Sequence, residues 1–463
     1  MEACIRQSTP APDRRVRGSS RGGYICAMGV IQAAIPIFFI CIALELLWSQ
    51  RAGRRISRLN DALSDLSCGV LSQLVGIFDK VLTLGAFIWV AEHLRLQRIL
   101  PGLPEWPHRP VFLGGDAAAP WGVDTAALVA WASAFVLVDF CYYWSHRLSH
   151  EVNLLWAGHV VHHQSEEYNL SVALRQASIG KAMTWVFYLP LALIGMPWQL
   201  FAVSHGLNLI YQFLIHTRAV GTMGRLTEWV LNTPSHHRVH HGVNPKYQDK
   251  NYAGVFIVFD RWFGTFQVEE EEPVYGITKP LRSWNPLWAN LHVFVQMARD
   301  IRQTPAWRDR WRIVFGRPGW RPAALGGPER PPEVSTATFE KFDPPVPGAL
   351  AAYGFVQFTV ALVAAFLILR QAAQGIDAGL AAAAFFVVVA LAGVAGVFER
   401  AQWARPLETA RLVALGGVCL ALGLTAAAPV ALAWGGVTFA VVSLVVLWRY
   451  RRVLTEVELA PIM

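Results

Sequence analysis

The stretch HRLSHEVNLLWAGHVVHH, residues 146–163, carries five histidines at two spacings. His146 and His150 are four residues apart, so on a helix both imidazole rings lie on one face. The box HVVHH, residues 159–163, is followed by HRVHH at residues 237–241. Because neutral imidazole binds iron, zinc and copper well, three such boxes predict a metal site.

The predicted ligands lie in these boxes or at the end of an apolar segment, where rings from several helix ends can converge on one cavity. They are His146, His150, His159, His162, His163, His216, His237, His240 and His241. So many ligands suit two metal ions with open positions. An all-histidine shell adds no negative charge and leaves the metals strongly electrophilic, which suits the activation of oxygen. His205 stays open as a ligand, because it lies 11 residues before His216, close to three helical turns.

Two other positions receive weaker predictions. His236 is predicted to support a ligand, and Asp139, one heptad before His146, either supports a ligand or packs between helices. The remaining histidines considered are predicted to lie away from the metals; they are His93, His108 and His292.

The composition indicates a membrane protein. Hydrophobic residues make up 54% of the 463 residues and charged residues 16%. Several apolar runs reach the roughly 20 residues that a helix needs to cross a bilayer. The net charge of +8 comes largely from arginines beside these runs, such as Arg51 and Arg449. This is typical of cytoplasmic flanks of membrane helices, and it argues against binding to nucleic acid.

The predicted fold is all-α: a polytopic integral membrane helical bundle with a histidine-rich di-metal site that faces the cytosol. The stretch 183–215 is interrupted by Pro190, Gly195 and Pro197, which predicts a helical hairpin or a broken helix. The other predicted spans are 25–47, 63–91, 125–144, 350–369, 380–397, 412–426 and 430–447.

Four regions divide the chain. Residues 1–24 form a basic segment, which is not native if Met28 is the true start. Residues 25–285 form the predicted catalytic membrane domain, and residues 286–348 a polar linker rich in proline and arginine. Residues 349–463 form a C-terminal helical module without a recognised motif.

The pattern HxxxH, HxxHH, HxxHH resembles the fatty acid hydroxylase / sterol desaturase superfamily over about residues 125–285. Segments outside the boxes resemble, within it, the alkylglycerol monooxygenases. These segments are EEYNLS (166–171), ALRQ (173–176), YQFLIHT (211–217), NTPSHHRVHHG (232–242), DKNYAG (249–254) and WFGTF (262–266).

The resemblance implies a di-iron enzyme that uses O2 and a lipid of the bilayer. It implies hydroxylation of the carbon next to the ether oxygen of an alkylglycerol, after which the product collapses to a fatty aldehyde and glycerol. It also implies tetrahydrobiopterin as the electron donor. An alanine- and arginine-rich composition suggests a bacterial source, so the donor stays open between a pterin and a redox protein.

The resemblance further implies that activity needs Glu151, either at the pterin or to orient a ligand histidine. Tyr168, Asn169 and Arg175 are candidates to bind the reductant or a lipid headgroup, and otherwise they belong to a structural loop over the site. We expect a multi-pass protein of the bacterial inner membrane or the endoplasmic reticulum, with its active site facing the cytoplasm.

Three alternatives remain. An enzyme of the same superfamily that hydroxylates or desaturates a fatty acyl chain, a sterol or an aminolipid would use the same ligands. A haem-binding electron carrier would need fewer histidines than HxxHH boxes supply. A metal transporter would place histidines and carboxylates along the spans instead of clustering them at helix ends.

Overall fold

The computed structural model describes residues 34–106, 125–329, 332–372 and 374–454. His108, the segment 1–24 and Met28 lie outside these residues. Within them the regular secondary structure is helical, apart from one isolated β-bridge between Gly242 and Tyr275. The α-helices are α1 Ala34–Arg51, α2 Leu59–His93, α3 Thr125–Glu151, α4 Asn153–Ala157, α5 Leu170–Ala173, α6 Gly180–Thr184, α7 Leu189–Leu193, α8 Trp198–Ile215, α9 Arg225–Val230, α10 Pro234–His240, α11 Val258–Trp262, α12 Pro286–Gln303, α13 Trp307–Phe315, α14 Gly348–Ala372, α15 Ala378–Phe398, α16 Ala404–Leu424 and α17 Val430–Arg449.

Six of these helices are long and apolar enough to cross a membrane: α1, α3, α14, α15, α16 and α17. A seventh candidate is bent, because Leu59–Phe78 and Leu82–Arg98 meet at 46°. The all-α, polytopic membrane fold predicted from the sequence is therefore confirmed.

The chain between Gly180 and Ile215 is broken, as the sequence predicts. The short helices α6 and α7 are followed by Gly195 at φ 74° and by Pro197, which precedes α8. A positive φ is readily adopted by glycine, and proline cannot continue a helix from the preceding turn. Only after this break does α8 run alongside α3.

Residues 286–348, predicted as a linker, contain the helices α12 and α13. Helix α12 packs against α2, α4 and the 3₁₀ turn Val160–His163. This segment therefore forms part of the protein wall around the histidine boxes.

The C-terminal helices dock on the N-terminal part of the chain. Phe358 of α14 and Leu391 of α15 share one apolar cluster with Leu63 of α2. At the end of α15, the Glu399 carboxylate accepts hydrogen bonds from Ser283 Oγ at 2.7 Å and from the backbone N–H of Asn285 at 3.1 Å. The module predicted at residues 349–463 is thus joined to the catalytic part by both apolar and polar contacts.

A buried polar network joins three of the C-terminal helices. Arg411 of α16 donates to Glu408 at 2.7 and 2.8 Å and to Gln357 of α14 at 2.7 Å, and Gln357 donates to Ser443 of α17 at 2.8 Å. The neighbouring position 393 on α15 must be glycine, because a Cβ there would overlap Glu408. In a lipid-embedded bundle, where polar groups have no water, such bonds fix the relative register of the helices.

We expect Glu408→Ala to destabilise the bundle, because it leaves the buried Arg411 without its counter-charge. Removal of one partner of a buried ion pair costs roughly 3–5 kcal/mol. Thermal unfolding of the detergent-purified protein, followed by tryptophan fluorescence, measures the effect. Thr409→Ala, at the exposed adjacent position, is the matched control and should melt with the wild type. Equal melting temperatures for both variants would contradict this account.

Candidate metal centre

The first histidine box occupies the last two turns of α3, so His146 and His150 lie on one face of that helix. The Nδ1 atom of His146 donates to the backbone carbonyl of Tyr252 at 2.7 Å. This fixes the ring and leaves Nε2 as the atom that can bind a metal. The box therefore enters the site from the end of a membrane-spanning helix.

The second box follows the short helix α4. His162 and His163 lie in the 3₁₀ turn Val160–His163, and His159 immediately precedes it. The Nδ1 atom of His162 donates to the carbonyl of Arg175 at 3.0 Å. A tight turn is needed here because it aims neighbouring histidines toward different metal positions.

The third box lies on α10, which begins with Pro234 after a capping box at Thr233. Within it the Nδ1 atom of His240 donates to the carbonyl of Lys250 at 2.9 Å. His216, at the end of α8, donates from Nδ1 to the carbonyl of Gln212 at 2.6 Å. Four rings in the site are thus held through Nδ1 by backbone carbonyls.

The nine histidines predicted as ligands come together in two groups, within each of which the ligand atoms lie within 4.8 Å of one another. The first group is His146, His150, His159, His163 and His240. The second group is His162, His216, His237 and His241. Two adjacent groups of this kind are the arrangement that a two-metal centre requires.

Lone pairs face one another inside these groups. The Nε2 atoms of His162 and His216 are 3.2 Å apart. A carbonyl only accepts hydrogen bonds, so both Nδ1 atoms carry the proton and both Nε2 atoms of the neutral rings carry lone pairs. Two such lone pairs repel unless a cation lies between them.

The rings outside the membrane spans are kept neutral by their surroundings. Burial lowers the pKa of His162 to about 4. Burial first, and the neighbouring histidines second, hold the pKa well below its usual value for His163, His237 and His241. Since a metal binds the neutral ring, the site is set for cation binding at neutral pH.

The distances also fit a metal. Imidazole nitrogens bind zinc at about 2.0–2.1 Å, so two ligands at a right angle lie about 3 Å apart. The Nε2 atoms of His146 and His159 are 3.0 Å apart, and those of His216 and His237 are also 3.0 Å apart. The buried Nε2 atoms of other rings in the groups have no hydrogen-bond partner within the described part of the chain; they belong to His150, His240 and His241. This donor set fits iron, zinc or copper.

A loop held by two aspartates carries one of the carbonyls that orient the ligands. Asp260 accepts from the backbone N–H groups of Tyr252 at 2.7 Å and Ala253 at 2.8 Å. Asp139 accepts from the backbone N–H of Val255 at 2.9 Å and from Asn208 on α8 at 2.7 Å. Asp139 therefore acts on the loop that presents the Tyr252 carbonyl to His146, one step removed from the ligand.

Gly254 lets this loop approach the helices. A Cβ at this position would lie 2.6 Å from Asp139 Oδ1 and 2.7 Å from Asn208 Oδ1. Both distances are shorter than van der Waals contact allows. The close approach of loop and helices, and with it the position of the Tyr252 carbonyl, requires glycine here.

The three residues considered for reductant or headgroup binding are engaged within the protein. The Arg175 guanidinium is buried and donates to Val161 O at 2.7 Å and to Asp65 at 3.2 Å. The Tyr168 ring stacks on His216 and its hydroxyl donates to Ile215 O at 3.1 Å. Asn169 caps α5. Each contact in the described structure supports the shell around the second histidine group.

Glu151 lies at the end of α3 and is partly open to solvent. Its carboxylate accepts from Arg147 Nε at 3.0 Å, an i,i+4 pair on the same helix. The structure therefore places Glu151 one residue after a ligand position, His150, and leaves part of the carboxylate accessible from outside.

The other four histidines in the described part of the chain belong to neither group. His205 lies on α8 and is partly exposed, and its ring centroid is 5.7 Å from that of Phe201 and 5.2 Å from that of Tyr188. His236 Nε2 lies 2.8 Å from Glu228, and its ring takes part in the cap of α10. His292 contacts Ala289 O at 3.2 Å, and His93 contacts Trp89 O at 2.9 Å.

The roles of Asp260 and of the carbonyls of Lys250 and Tyr252 are not predictable from the histidine boxes. The one signal present was the run Asp249–Lys250–Asn251, in which Asp249 and Asn251 have φ of 57° and 56°. Asp and Asn tolerate this left-handed conformation better than most residues, so such a run indicates a sharply turned loop. It does not indicate which carbonyls face a ligand.

Comparisons with known proteins place this site in context. The family model described as fatty acid hydroxylase matches residues 131–265. The alkylglycerol monooxygenase of Xenopus tropicalis is 37% identical over 389 residues, 82% of this chain and 80% of the relative. That of Homo sapiens is 38% identical over 385 residues, with the same shares. The ornithine lipid hydroxylase OlsE of Rhizobium tropici is 27% identical over 150 residues, 29% of this chain and 43% of the relative. No solved structure matches the chain.

We expect His216→Ala to lose metal and His205→Ala to keep it. His205 lies in the middle of α8 and His216 directly follows its last residue, and of the two only His216 belongs to a histidine group. Loss of one of four ligands should reduce the bound metal by about one ion per chain. Elemental analysis of the purified, iron-loaded variants measures this. Equal metal content in the two variants would contradict the prediction that the second histidine group binds a metal ion.

Proposed function

The chain belongs to the alkylglycerol monooxygenase family, and we propose that it cleaves the ether bond of alkylglycerols with O2 and two iron ions. That it is a multi-pass membrane protein and a lipid hydroxylase or monooxygenase follows from its candidate spans, the hydroxylase match and these relatives. The substrate, the metal, the oxidant and the reductant are the proposal.

One observation carries the proposal: two adjacent groups of histidines, seven of the nine buried, in which Nε2 lone pairs face one another. Among the described residues neither group includes a carboxylate, so two divalent ions bound there would keep their full positive charge. When bound, two iron ions would supply the redox chemistry that couples reduction of O2 to oxidation of a C–H bond. The protein contributes a largely buried set of neutral nitrogen ligands, several of them oriented by backbone carbonyls.

The proposed reaction balances with a two-electron donor. One oxygen atom of O2 enters the C–H bond next to the ether oxygen, and the other leaves as water with two protons and two electrons. The resulting hemiacetal breaks its C–O bond, its hydroxyl proton passes to the ether oxygen, and a fatty aldehyde and glycerol result. A tetrahydropterin is the donor that we propose.

The orientation of the site is also proposed. Arg58, after α1, donates to Glu167 at 2.8 Å, four residues beyond His163. Arg400, in the turn after α15, donates to Val453 O at 3.2 Å beyond the end of α17. The basic segment after α1 is thus on the side of the membrane that holds the metal centre, and the basic segments after α15 and α17 lie next to each other. Because arginine and lysine accumulate in cytoplasmic loops, this supports a site that faces the cytoplasm.

A second candidate function is hydroxylation of an aminolipid. The observation that favours it is the similarity to an ornithine lipid hydroxylase, which extends over 150 residues or 29% of this chain. The same ligand set would serve that reaction, so the two candidates differ in the lipid and the donor. Fatty acyl and sterol hydroxylation are further outcomes that a lipid screen would reveal.

We expect the purified, Fe(II)-loaded protein to release fatty aldehyde from an alkylglycerol in the presence of O2 and a tetrahydropterin. His162→Ala should release none, because it removes a member of the second group, whereas His205→Ala should retain turnover. Mass spectrometry of the trapped aldehyde is the measurement.

Aldehyde from wild type and His205→Ala alone would support both the substrate and the donor. If iron is bound and no aldehyde forms, the ether-lipid proposal fails. Ornithine lipid and whole-lipid extracts, supplied with a redox protein as donor, would then test the second candidate.

We propose that Glu151 binds the pterin. Its carboxylate is partly open to solvent, lies one residue after His150, and can accept hydrogen bonds from N–H groups of the pterin. Glu151→Gln should lower kcat/KM for the pterin roughly 10- to 100-fold, the value of a lost hydrogen bond to a charged group. Bound iron and KM for the alkylglycerol should not change. Steady-state kinetics with each substrate varied in turn measure both.

Arg147→Gln is the control for this prediction, since it removes the ion pair and keeps the carboxylate. If Arg147→Gln and Glu151→Gln lower kcat/KM for the pterin equally, Glu151 acts through the ion pair and pterin binding is refuted.

A further inference from the structure

Helix α13 carries a row of exposed aromatic side chains. Trp307, Trp311 and Phe315 are 67%, 47% and 50% exposed. They are four residues apart and therefore share one face of the helix. The ring centroids of Trp307 and Trp311 are 5.3 Å apart, and those of Trp311 and Phe315 are 4.7 Å apart. Exposure of so much contiguous apolar surface to water is unfavourable, so this face is expected to be covered by a partner.

The aromatic row cannot turn inward, because the opposite face of α13 is fixed. Ile313 is buried against Ala157 and Met297. Asn153 donates from Nδ2 to Ile313 O at 2.7 Å and from its backbone N–H to Gly316 O at 2.9 Å. The helix is thus held at two points of its last turn, with the aromatic row directed away from the protein.

The anchor also sets the depth of α13 relative to the membrane. Asn153 follows α3 by only two residues, and α3 is long and apolar enough to cross a bilayer. Helix α13 therefore lies where that span leaves the hydrocarbon. This is the level at which tryptophan side chains accumulate in membrane proteins.

The charge on α13 matches a phospholipid surface. Arg308, Arg310 and Arg312 are exposed on the same helix. An apolar aromatic face flanked by arginines is the pattern of a helix that lies in the plane of the interface, with basic groups at the phosphates and rings at the boundary of the acyl chains.

We propose that α13 is an interfacial helix whose aromatic row is inserted into the lipid leaflet beside the metal centre. Helix α13 packs on α4, and Trp156 of α4 lies 5.1 Å from the His150 ring and 5.6 Å from the His163 ring. The lipid layer that α13 contacts is consequently the one next to the first histidine group.

The position of α13 at the membrane interface selects which carbon of a lipid reaches the metals. This part of the inference rests on the proposed function. At the headgroup boundary the nearest carbons are those that adjoin the glycerol, and the end of the chain lies deep in the bilayer. Lipid that approaches along α13 would thus present the carbon next to the ether oxygen.

The test uses the full chain in nanodiscs of phosphatidylcholine and phosphatidylglycerol, with Trp311 replaced by the photocrosslinker benzoylphenylalanine. On illumination we expect a phospholipid adduct on the peptide that contains position 311, detected by mass spectrometry. The same replacement at Phe315 is the second probe. The control is Glu270, an exposed member of the acidic run 269–272, at which we expect no lipid adduct.

A crosslink from position 311 to a second copy of the chain, or no lipid adduct at 311 and 315, would overturn the interfacial helix. The adduct does not depend on turnover, so it distinguishes failure of this inference from failure of the ether-lipid reaction. The double variant Trp307→Gln/Trp311→Gln tests whether lipid reaches the site along α13. It should raise KM for alkylglycerol in vesicles and leave kcat and the amount of bound iron unchanged. An unchanged KM would overturn this route to the site.

Discussion

Imidazole lone pairs that face one another at about 3 Å inside a protein need a cation between them, and the rest of the architecture serves to hold them there. Without other constraints, the rings of His162 and His216 would rotate away from each other, or one of them would become protonated. Burial opposes protonation, and bonds from Nδ1 to backbone carbonyls oppose rotation. The fold thus holds together Nε2 lone pairs that repel one another without a metal ion and that would all be attracted to a bound one.

Much of this was accessible from the sequence because the ligands obey local rules. Spacings of four and three residues on a helix bring His146 to His150 on α3 and His237 to His240 on α10, and the breakers Gly195 and Pro197 interrupt the stretch that leads to His216. The apolar runs likewise have the length that a membrane imposes. These features depend on residues close to one another along the chain, which a pattern can register.

What the sequence did not reveal depends on distant contacts. Asp260 and the carbonyl of Tyr252 support the site only because a loop at residues 249–256 returns to the end of α3. Helix α12 was predicted as linker because residues 286–348 as a whole are rich in proline and arginine. Its buried face nevertheless includes Ala289, whose carbonyl accepts from Gln164 beside the second box. Arg175 suggested ligand binding by its charge, and the structure surrounds it with acceptors of the chain itself.

The four carbonyl contacts to ligand rings have a consequence for genetics. A side chain that orients a ligand can be lost by a single substitution, but the carbonyls of Arg175, Gln212, Lys250 and Tyr252 belong to the main chain. Alanine scanning at Lys250 would leave the acceptor in place and would not reveal its contribution. The orienting atoms of this centre are therefore hidden from ordinary mutagenesis, and replacement of an amide by an ester in the backbone is the kind of change that could weaken them.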